Sequence, residues 1–333
     1  MNLPSISVLI PTLNSQATLG ECLESIASQD YPAQSVEVIV ADGGSHDETC
    51  EIARARGAQL VSNPLRTGEA GKATALRHAS NDLVALIDSD NILPQRDWFR
   101  RMVAPLVDDE AVVGAEPWEF TRRSRDPAFT RYCAMLGMND PVCHFIGNYD
   151  RMNLLTGRWT SLPVREEDHG GYLTLDLGNG PMPTIGANGT IWRRSALEPW
   201  ADRDYLFDID VPGELAGGGV VRFAKVKVGI IHVYARGMRQ FAEKQRRRVR
   251  DYLSFCRATG RTYRWESHAK TGIARFVLAS VTVIPLLLDT VRGYRRSRDA
   301  AWLLHAPACW VTLAIYGWGY ITGRLKDQQN TYS

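Results

Sequence analysis

The first ninety residues alternate short apolar runs with stretches of helical spacing, and each apolar run leads into a polar residue. Apolar runs of four to eight residues between turn signals are typical of buried strands, and strands that alternate with helices predict a mainly parallel sheet covered by helices on both faces. Ligands of such α/β sheets bind at the carboxyl ends of the strands. The runs, each with the polar residue that follows it, are Ile6–Ile10 with Asn14, Val36–Ala41 with Asp42, and Leu83–Ile87 with Asp88.

The charge of the chain is divided between its two parts. The 333 residues are 44% hydrophobic and 23% charged, as in ordinary globular proteins, and the formal net charge is +2. Residues 1–235 hold 21 Lys and Arg against 31 Asp and Glu, whereas residues 236–333 hold 18 against 6. An acidic body with a basic, partly apolar tail favours attachment to an anionic membrane surface, and no nucleic-acid partner is expected.

Six cysteines occur without a C-x-x-C pair, so neither a zinc site nor a disulfide framework is predicted. The sequence MNLPSISVLIPT lacks the charged region and the cleavage site of a signal peptide. The acidic body is therefore expected in the cytoplasm.

Two late apolar runs bear on location. Residues 276–288 are too short to cross a bilayer as a helix and contain Pro285, whereas residues 300–323 are long enough. Four arginines lie between the runs, and two crossings would place them on the face opposite the acidic body, against the positive-inside tendency. We therefore expect the first run to be interfacial or re-entrant, and the second either to span the membrane or to lie in the interface.

Asp88-Ser89-Asp90 places two carboxylates where a strand opens into a loop. Oxygen ligands of this kind suit Mg²⁺ or Mn²⁺, which keep open positions for the oxygens of a substrate diphosphate. By itself the motif is also typical of a solvated loop.

Four motifs in order and spacing resemble family 2 glycosyltransferases with the GT-A fold. The resemblance covers about the first 235 residues and implies a nucleotide-sugar half at about 1–117 and an acceptor half at about 118–235. The motifs are Ser7–Asn14, Ala41–Thr49, Gly71–Leu76 and Asp88–Asp90.

The resemblance assigns donor-binding roles residue by residue. Asp42 would bind the base or ribose, although an Asx turn in Asp-Gly-Gly-Ser is the alternative. Lys72 would lie beside the diphosphate, and Asp90 would hold the metal. The other residues of this set are Pro11, Thr12 and Asn14 in the nucleotide pocket, Asp88 facing ribose and metal, and Ser89 between the carboxylates.

On the acceptor side, Gly186–Thr190 resembles the family's Gly-Gly-Asn segment. Asp208 aligns with the general base that takes the acceptor's proton, although Phe207 replaces the usual Glu before it. Asp210 is the alternative base, and a capping or salt-bridge role is the alternative for both aspartates.

Three further features have a structural and a functional interpretation. His232 is either a core histidine or, as in many GT-A enzymes, a metal ligand. Residues 245–249 (Gln-Arg-Arg-Arg-Val) resemble the Gln-x-x-Arg-Trp signature of processive members, but Val249 replaces the Trp, so a basic helix at a membrane is equally expected. Residues 166–169 (Glu-Glu-Asp-His) could imitate a metal cluster, but a solvated charge run beside glycines is expected instead.

The resemblance and the charge division together predict an inverting, metal-dependent glycosyltransferase. It would move a sugar from a nucleotide-diphosphate sugar to a polyprenyl-linked glycan or lipid at the cytoplasmic membrane face, in envelope polysaccharide or glycan assembly. Residues 1–235 would be catalytic and 236–333 would attach to the membrane. The alternatives are a sugar nucleotidyltransferase, whose glycine-rich, arginine-bearing loop is missing after the first strand, and a non-catalytic nucleotide-binding scaffold.

Overall fold

The computed structural model describes residues 3–258 and 266–331, with side chains described for 3–253 and 269–322. The chain divides into two compact units, one of residues 1–121 and 163–232 and the other of residues 122–162 and 233–333. The division falls between residues 232 and 233, and residues 122–162 belong to the second unit and not to the sheet-containing one. The predicted boundary at 235 stays a prediction. Residues 259–265 and 332–333 of the predicted membrane region lie outside the described residues.

Within the described residues, the first unit contains ten strands and six α-helices. Its strands are β1 (Ile6–Thr12), β2 (Val36–Asp42), β3 (Gln59–Ser62), β4 (Leu83–Leu86), β5 (Asn91–Ile92), β6 (Val112–Phe120), β7 (Arg165–Asp168), β8 (Tyr172–Leu177), β9 (Thr190–Arg193) and β10 (Val221–His232). Its helices are α1 (Gln16–Ala27), α2 (Thr49–Ala55), α3 (Gly68–His78), α4 (Trp98–Asp108), α7 (Arg194–Ala201) and α8 (Val211–Ala216). The helices of the second unit are α5 (Ala128–Leu136), α6 (Pro141–Ile146), α9 (Met238–Ala258), α10 (Glu266–Thr282), α11 (Ile284–Ser297) and α12 (His305–Thr331).

The strands form one sheet in the order β3-β2-β1-β4-β9-β6-β10-β8-β7, and β5 pairs with the end of β10. The first four strands of this order are mutually parallel, as predicted. The strand β9 is antiparallel to both β4 and β6, and β8 is antiparallel to β10. The α/β prediction is confirmed, and the antiparallel strands make the sheet mixed beyond β4.

The central strands are mostly apolar, as is typical of strands that are buried on both faces of a sheet. In β1, Ile6, Val8, Leu9 and Ile10 are all fully buried. Helix α3 approaches β1 closely at Gly71, where a Cβ atom would lie 2.7 Å from the Cβ of Pro11. Lys72, the next residue in sequence, is also buried.

The second unit is helical within the described residues. Its core includes Phe129 stacked on Phe241 at 4.9 Å between ring centroids, with Tyr132 and Trp302 packed nearby. Among the described residues, one helical stretch, Ala300–Thr322, is long and apolar enough to cross a membrane. The helices α10 and α11 would qualify only as a pair, and that pair bends by 93° at the break between them.

Candidate active site

The carboxyl ends of β1, β2 and β4 lie together at one edge of the sheet. Thr12 at the end of β1 is paired in register with Asp42 at the end of β2. Asp88 follows β4, the other neighbour of β1. The predicted donor-binding residues of three separate motifs therefore meet at this edge, as expected for parallel strands.

Both oxygens of the Asp42 carboxylate accept hydrogen bonds that fix the loop after β2. Its Oδ1 accepts hydrogen bonds from the hydroxyls of Thr12 and Ser45 at 3.0 and 2.5 Å, and its Oδ2 accepts from the backbone N–H groups of Gly44 and Ser45 at 2.9 and 2.8 Å. Burial acts to raise the pKa of Asp42, but these hydrogen bonds outweigh it and lower the pKa. These contacts are those of a turn-forming Asx residue, the alternative role given to Asp42 above. Its binding of a base or ribose stays a prediction.

Asn14 joins the loops that follow β1 and β2. Its backbone is left-handed, with φ of 51°, a conformation that Asn tolerates better than most residues. Its N–H donates to Ser45 Oγ at 2.8 Å, and its Oδ1 accepts from the His46 N–H at 2.9 Å. The side chain is therefore used to hold the loops in place, at the rim where the nucleotide pocket was predicted.

Asn91 fixes the shape of the Asp88-Ser89-Asp90 loop. Its Oδ1 accepts from the Asp88 N–H at 3.0 Å, and its Nδ2 donates to the Asn188 Oδ1 at 3.0 Å. Ser89 Oγ donates to Ser15 Oγ at 3.0 Å, which ties the loop to the start of α1. The sequence analysis did not identify the Asn91–Asn188 link, although an Asn directly after the two carboxylates and an Asn in the acceptor-side segment were visible signals.

Asp90 and His232 are brought together from distant positions in the chain. The His232 Nε2 lies 3.3 Å from Asp90 Oδ1. His232 is the last residue of β10, opposite Asn91 of β5, and its ring packs against Phe120 at 5.7 Å between centroids. Two of the three predicted metal ligands are therefore in contact.

Three carboxylates influence one another at this site. Burial raises the pKa of Asp88, and the charges of Asp90 and Asp208 raise it further, while Lys72 and His232 act in the opposite direction. A carboxyl whose pKa is raised by neighbouring carboxylates is stabilised in its charged form when a cation arrives. The local charge therefore favours binding of a cation.

The donor atoms at this site fit a divalent ion that a substrate helps to hold. Among the residues that the structure describes, no three His, Cys, Asp or Glu side chains converge as a ready-made metal site. Asp90 and His232 nevertheless present a carboxylate oxygen and an imidazole nitrogen side by side, with Asp88 close by. Mg²⁺ is usually bound through one or two carboxylates together with substrate phosphates, so a two- or three-ligand set is chemically suitable.

Lys72 and Asp208 form an ion pair beside the acceptor-side segment. The Lys72 Nζ donates to Asp208 Oδ1 at 2.5 Å, and the two side chains are 6% and 13% exposed. A Cβ atom on Gly186 would lie 3.0 Å from Asp208 Oδ2, so the Gly186 backbone lies against the carboxylate. The structure thus places Asp208 next to the residue predicted to bind the diphosphate.

Asp210, the alternative base, is in a different environment. It is fully buried, and its carbonyl accepts the Glu214 N–H at 2.8 Å at the start of α8. Asp208 keeps some exposure and lies against Gly186, which favours Asp208 over Asp210 as the base.

Of the signature-like residues 245–249, Gln245 is buried in the second unit, whereas Arg246 and Arg247 are exposed. Gln245 is fully buried; its Nε2 donates to the Asn139 carbonyl at 3.1 Å, and its Oε1 accepts from Tyr316 and Arg248, each at 3.0 Å. Arg248 also lies 3.3 Å from Asp140. In the structure, Gln245 and Arg248 therefore hold helices of that unit together.

The acidic run at 166–169 lies at the edge of the sheet. Residues Arg165–Asp168 form the exposed outermost strand β7, and Asp168 pairs with Lys227 at 2.7 Å. Within the described residues this run forms a charged, solvated strand, as expected, and edge strands commonly carry charges that discourage pairing with other chains.

The mixed α/β sheet matches the GT-A fold of nucleotide-sugar glycosyltransferases. Residues 7–162 match the model of glycosyl transferase family 2. The resemblance predicted from the sequence motifs is confirmed.

Individual relatives agree with this assignment. The chain is 30% identical over 213 residues to the glycosyltransferase AglE of Haloferax volcanii, covering 62% of this chain and 66% of AglE. It is 28% identical over 148 residues to a 4,4'-diaponeurosporenoate glycosyltransferase of Staphylococcus aureus, covering 41% and 39%. The matches thus span less than two thirds of these relatives. Among solved structures, the chain is similar to the mannosyltransferase PcManGT from Pyrobaculum calidifontis in complex with GDP-Man and Mn²⁺. The TM-score is 0.50 at 18% identity, and the match covers 94% of this chain and 87% of that one. This similarity confirms the fold.

Proposed function

We propose that the chain is a metal-dependent, inverting glycosyltransferase that moves a sugar from a nucleotide-diphosphate sugar to an acceptor. The observation that carries the proposal is the convergence at one sheet edge of the Asp90–His232 pair and the Lys72–Asp208 pair in a family 2 domain. One pair supplies donor atoms for a cation, and the other supplies a cation and a carboxylate. A transfer of this kind needs positive charge at the leaving diphosphate and a base at the acceptor.

On the donor side, Asp90 and His232, with Asp88, would hold Mg²⁺ or Mn²⁺. When bound, the ion would offset the negative charge that develops on the departing diphosphate. Lys72 would add a second positive charge there. PcManGT, whose structure contains Mn²⁺ and GDP-Man, supports this choice of metal and of donor class.

On the acceptor side, Asp208 would accept the proton of the attacking hydroxyl. The new bond would form between that oxygen and the anomeric carbon while the bond from this carbon to the diphosphate oxygen breaks. The leaving nucleoside diphosphate takes the electron pair, and the proton ends on the Asp208 carboxylate. A single displacement of this type inverts the anomeric centre.

The acceptor that best fits the chain is a polyprenyl-linked glycan or lipid at the cytoplasmic face of the cell membrane, as in envelope polysaccharide or glycan assembly. The basic excess of residues 236–333 and the apolar stretch Ala300–Thr322 support a location at a membrane. A membrane-bound enzyme meets a lipid-linked acceptor at the bilayer surface.

The test is release of nucleotide by the purified full chain in detergent. UDP-, GDP- and dTDP-sugars are offered with Mn²⁺ or Mg²⁺ and a lipid extract. We expect one donor to be consumed only with metal and lipid, and Asp90→Ala or Asp208→Asn to abolish the reaction. Asp168→Asn, which removes an exposed carboxylate of β7, is the matched control and should retain activity. Metal-dependent nucleotide binding without transfer to any offered acceptor would overturn the proposal in favour of a scaffold.

A further inference from the structure

The corner between α10 and α11 exposes a cluster of large aliphatic side chains. Five residues on the two sides of the corner are each 50–69% exposed. Single exposed apolar residues are ordinary, but a contiguous apolar patch marks a surface that binds a partner or a membrane. The five residues, called the apolar corner below, are Leu278, Val281, Ile284, Leu287 and Leu288.

The corner is a fixed feature of the second unit. Val283 at the break has φ of 65°, and Pro285 lies in the first turn of α11, where its missing N–H costs no hydrogen bond. On the inner sides, Phe276, Ala279 and Leu286 are buried in a common core cluster. The two helices are thus held with their other apolar faces directed outward.

Close backbone contacts also hold each helix in place. A Cβ atom on Gly272 of α10 would overlap the backbone of Ile146, and one on Gly293 of α11 would overlap the Trp302 ring. Both glycines therefore lie directly against their neighbours. Tight packing of α10 and α11 within this unit therefore holds the apolar corner in a fixed position.

The exposed charged side chains of residues 269–298 are all positive. The only acidic residue between 269 and 298 is Asp289, which is largely buried and lies 3.2 Å from Arg292 and 3.6 Å from His144. Arg296 donates to the carbonyls of Leu154 and Leu155, which fixes the basic end of α11. The exposed charged side chains of this segment are Lys270, Arg275, Arg292, Arg295, Arg296 and Arg298.

The apolar part of α11 is long enough for shallow insertion into a bilayer and too short to cross one. Ile284 is eight residues before Arg292, so about 12 Å of apolar helix separates the corner from the first arginine of α11. Interfacial helices bury their apolar faces by roughly 5–10 Å, whereas the hydrocarbon core is about 30 Å thick. A bend of 93° between α10 and α11 also prevents the pair from forming one straight span.

We propose that the apolar corner inserts as a wedge into one leaflet of an anionic bilayer, with the surrounding arginines at the level of the phosphate headgroups. The wedge extends the membrane location proposed above, and it defines which residues enter the lipid. The occupant is a lipid surface because an apolar tip bordered by cations matches the boundary between acyl chains and anionic headgroups.

Flotation of the purified full chain with preformed vesicles tests the wedge without donor or acceptor. Vesicles of phosphatidylcholine alone are compared with vesicles that contain 30% phosphatidylglycerol, a proportion of about one third chosen to give a clear surface potential. We expect binding to the anionic vesicles, weakened at least tenfold by Leu287→Asp with Leu288→Asp. The matched control is Val220→Asp with Leu65→Asp, which changes two exposed apolar residues of the first unit and should leave flotation unchanged.

A second variant tests the charges. Replacing Arg292, Arg295 and Arg298 by Gln should lower binding by about fivefold for each arginine and reduce its dependence on salt. Arg296 is left intact because it bonds two backbone carbonyls. If the aspartate pair lowers the melting temperature markedly, Val281→Asp with Ile284→Asp replaces it.

A third measurement separates a wedge from a crossing. Arg298→Cys, added to sealed vesicles from outside, should be labelled by a membrane-impermeant maleimide, as read by peptide mass. Protection of this cysteine until the vesicles are opened would mean that α10 and α11 cross, and would overturn the wedge.

Two other outcomes would also overturn it: flotation unaffected by the aspartate pair, or a dimer in solution that this pair dissociates, which would identify a second copy as the occupant. Donor turnover is a separate measurement. Failed transfer with intact flotation would count against the proposed activity alone, and lost flotation with intact transfer in detergent would count against the wedge alone.

Discussion

Lys72 and Asp208, 136 residues apart in sequence, form a buried ion pair at the carboxyl edge of the sheet, with 2.5 Å between Nζ and Oδ1. Burial by itself would lower the pKa of Lys72, but the carboxylates of Asp208 and Asp88 outweigh it and raise the pKa above its usual value. Lys72 is therefore charged at neutral pH. The carboxylate proposed as the base is held by this cation before the donor's diphosphate arrives.

Removing either partner of the pair should have a different effect. Lys72→Met leaves a largely buried carboxylate without its cation, so the free energy of unfolding should fall by about 3–5 kcal/mol and the KM for donor should rise. Asp208→Asn keeps the shape but cannot take a proton, so kcat should fall by about 10²–10⁴ with donor affinity nearly unchanged. Urea unfolding and steady-state kinetics check both. An Asp208→Asn variant with full kcat would remove Asp208 from the base role.

Gly186 should be sensitive to a single added methyl group. Gly186→Ala would place its Cβ 3.0 Å from Asp208 Oδ2 and 3.3 Å from Ile209 Cγ2. The carboxylate would have to shift, so we expect kcat to fall at least tenfold while donor KM stays within a factor of about two, because misplacement by even about 1 Å can cost up to a hundredfold.

Gly20→Ala is the matched control for this change. Gly20 lies in α1, and a Cβ there would meet nothing within 4 Å. Alanine in a helix is favoured over glycine by about 0.5–1 kcal/mol, so this variant should be slightly more stable and fully active. Equal kinetics for the two alanine variants would contradict the placement of Gly186 against the base.

Asp42 should make the stability of the fold depend on acid pH. Hydrogen bonds from Ser45, Thr12 and Gly44 lower the pKa of Asp42 below its ordinary value of 3.8. A depressed pKa in the folded state means that the stabilisation is complete above the unfolded-state pKa and is lost as the pH falls through the folded-state pKa. The difference in unfolding free energy between the wild type and Asp42→Asn should therefore be constant above about pH 5 and shrink below about pH 4. A difference that stays constant down to pH 2 would show that the carboxylate charge is not what stabilises the turn.

The sequence predicted the donor side better than the acceptor side for a physical reason. The donor residues directly follow strands, so their meeting place follows from the parallel order of β1, β2 and β4. The contact between Asp208 and Lys72 depends on loop paths across 136 residues, which no local pattern encodes. His232 lies at the site because the antiparallel pairing of β10 with β5 places it opposite Asn91. The alternation of strands and helices in the sequence does not predict this register.

Residues 122–162 show the other limit of prediction from sequence. The family resemblance implies an acceptor half that includes them. In the structure their apolar residues, among them Phe129 and Tyr132, pack with Phe241 and Trp302 in the second unit. Packing partners more than 100 residues away decide such an assignment, and composition within the segment carries little information about them.

Glu116 and Lys225 form a second ion pair, which should matter for stability and not for donor binding. They are paired in register on β6 and β10, both side chains are fully buried, and Nζ lies 2.8 Å from Oε1. Lys225→Met removes the cation beside the buried Glu116 carboxylate, so the free energy of unfolding should fall by about 3–5 kcal/mol. Lys225→Met with Glu116→Met should recover much of that loss, because apolar pairs of similar volume often replace buried ion pairs without cost. Urea unfolding of the two single variants and the double variant measures the coupling, with donor KM as the control. A single variant that loses less than about 1 kcal/mol would show that solvent reaches this pair, since that is the range of exposed ion pairs.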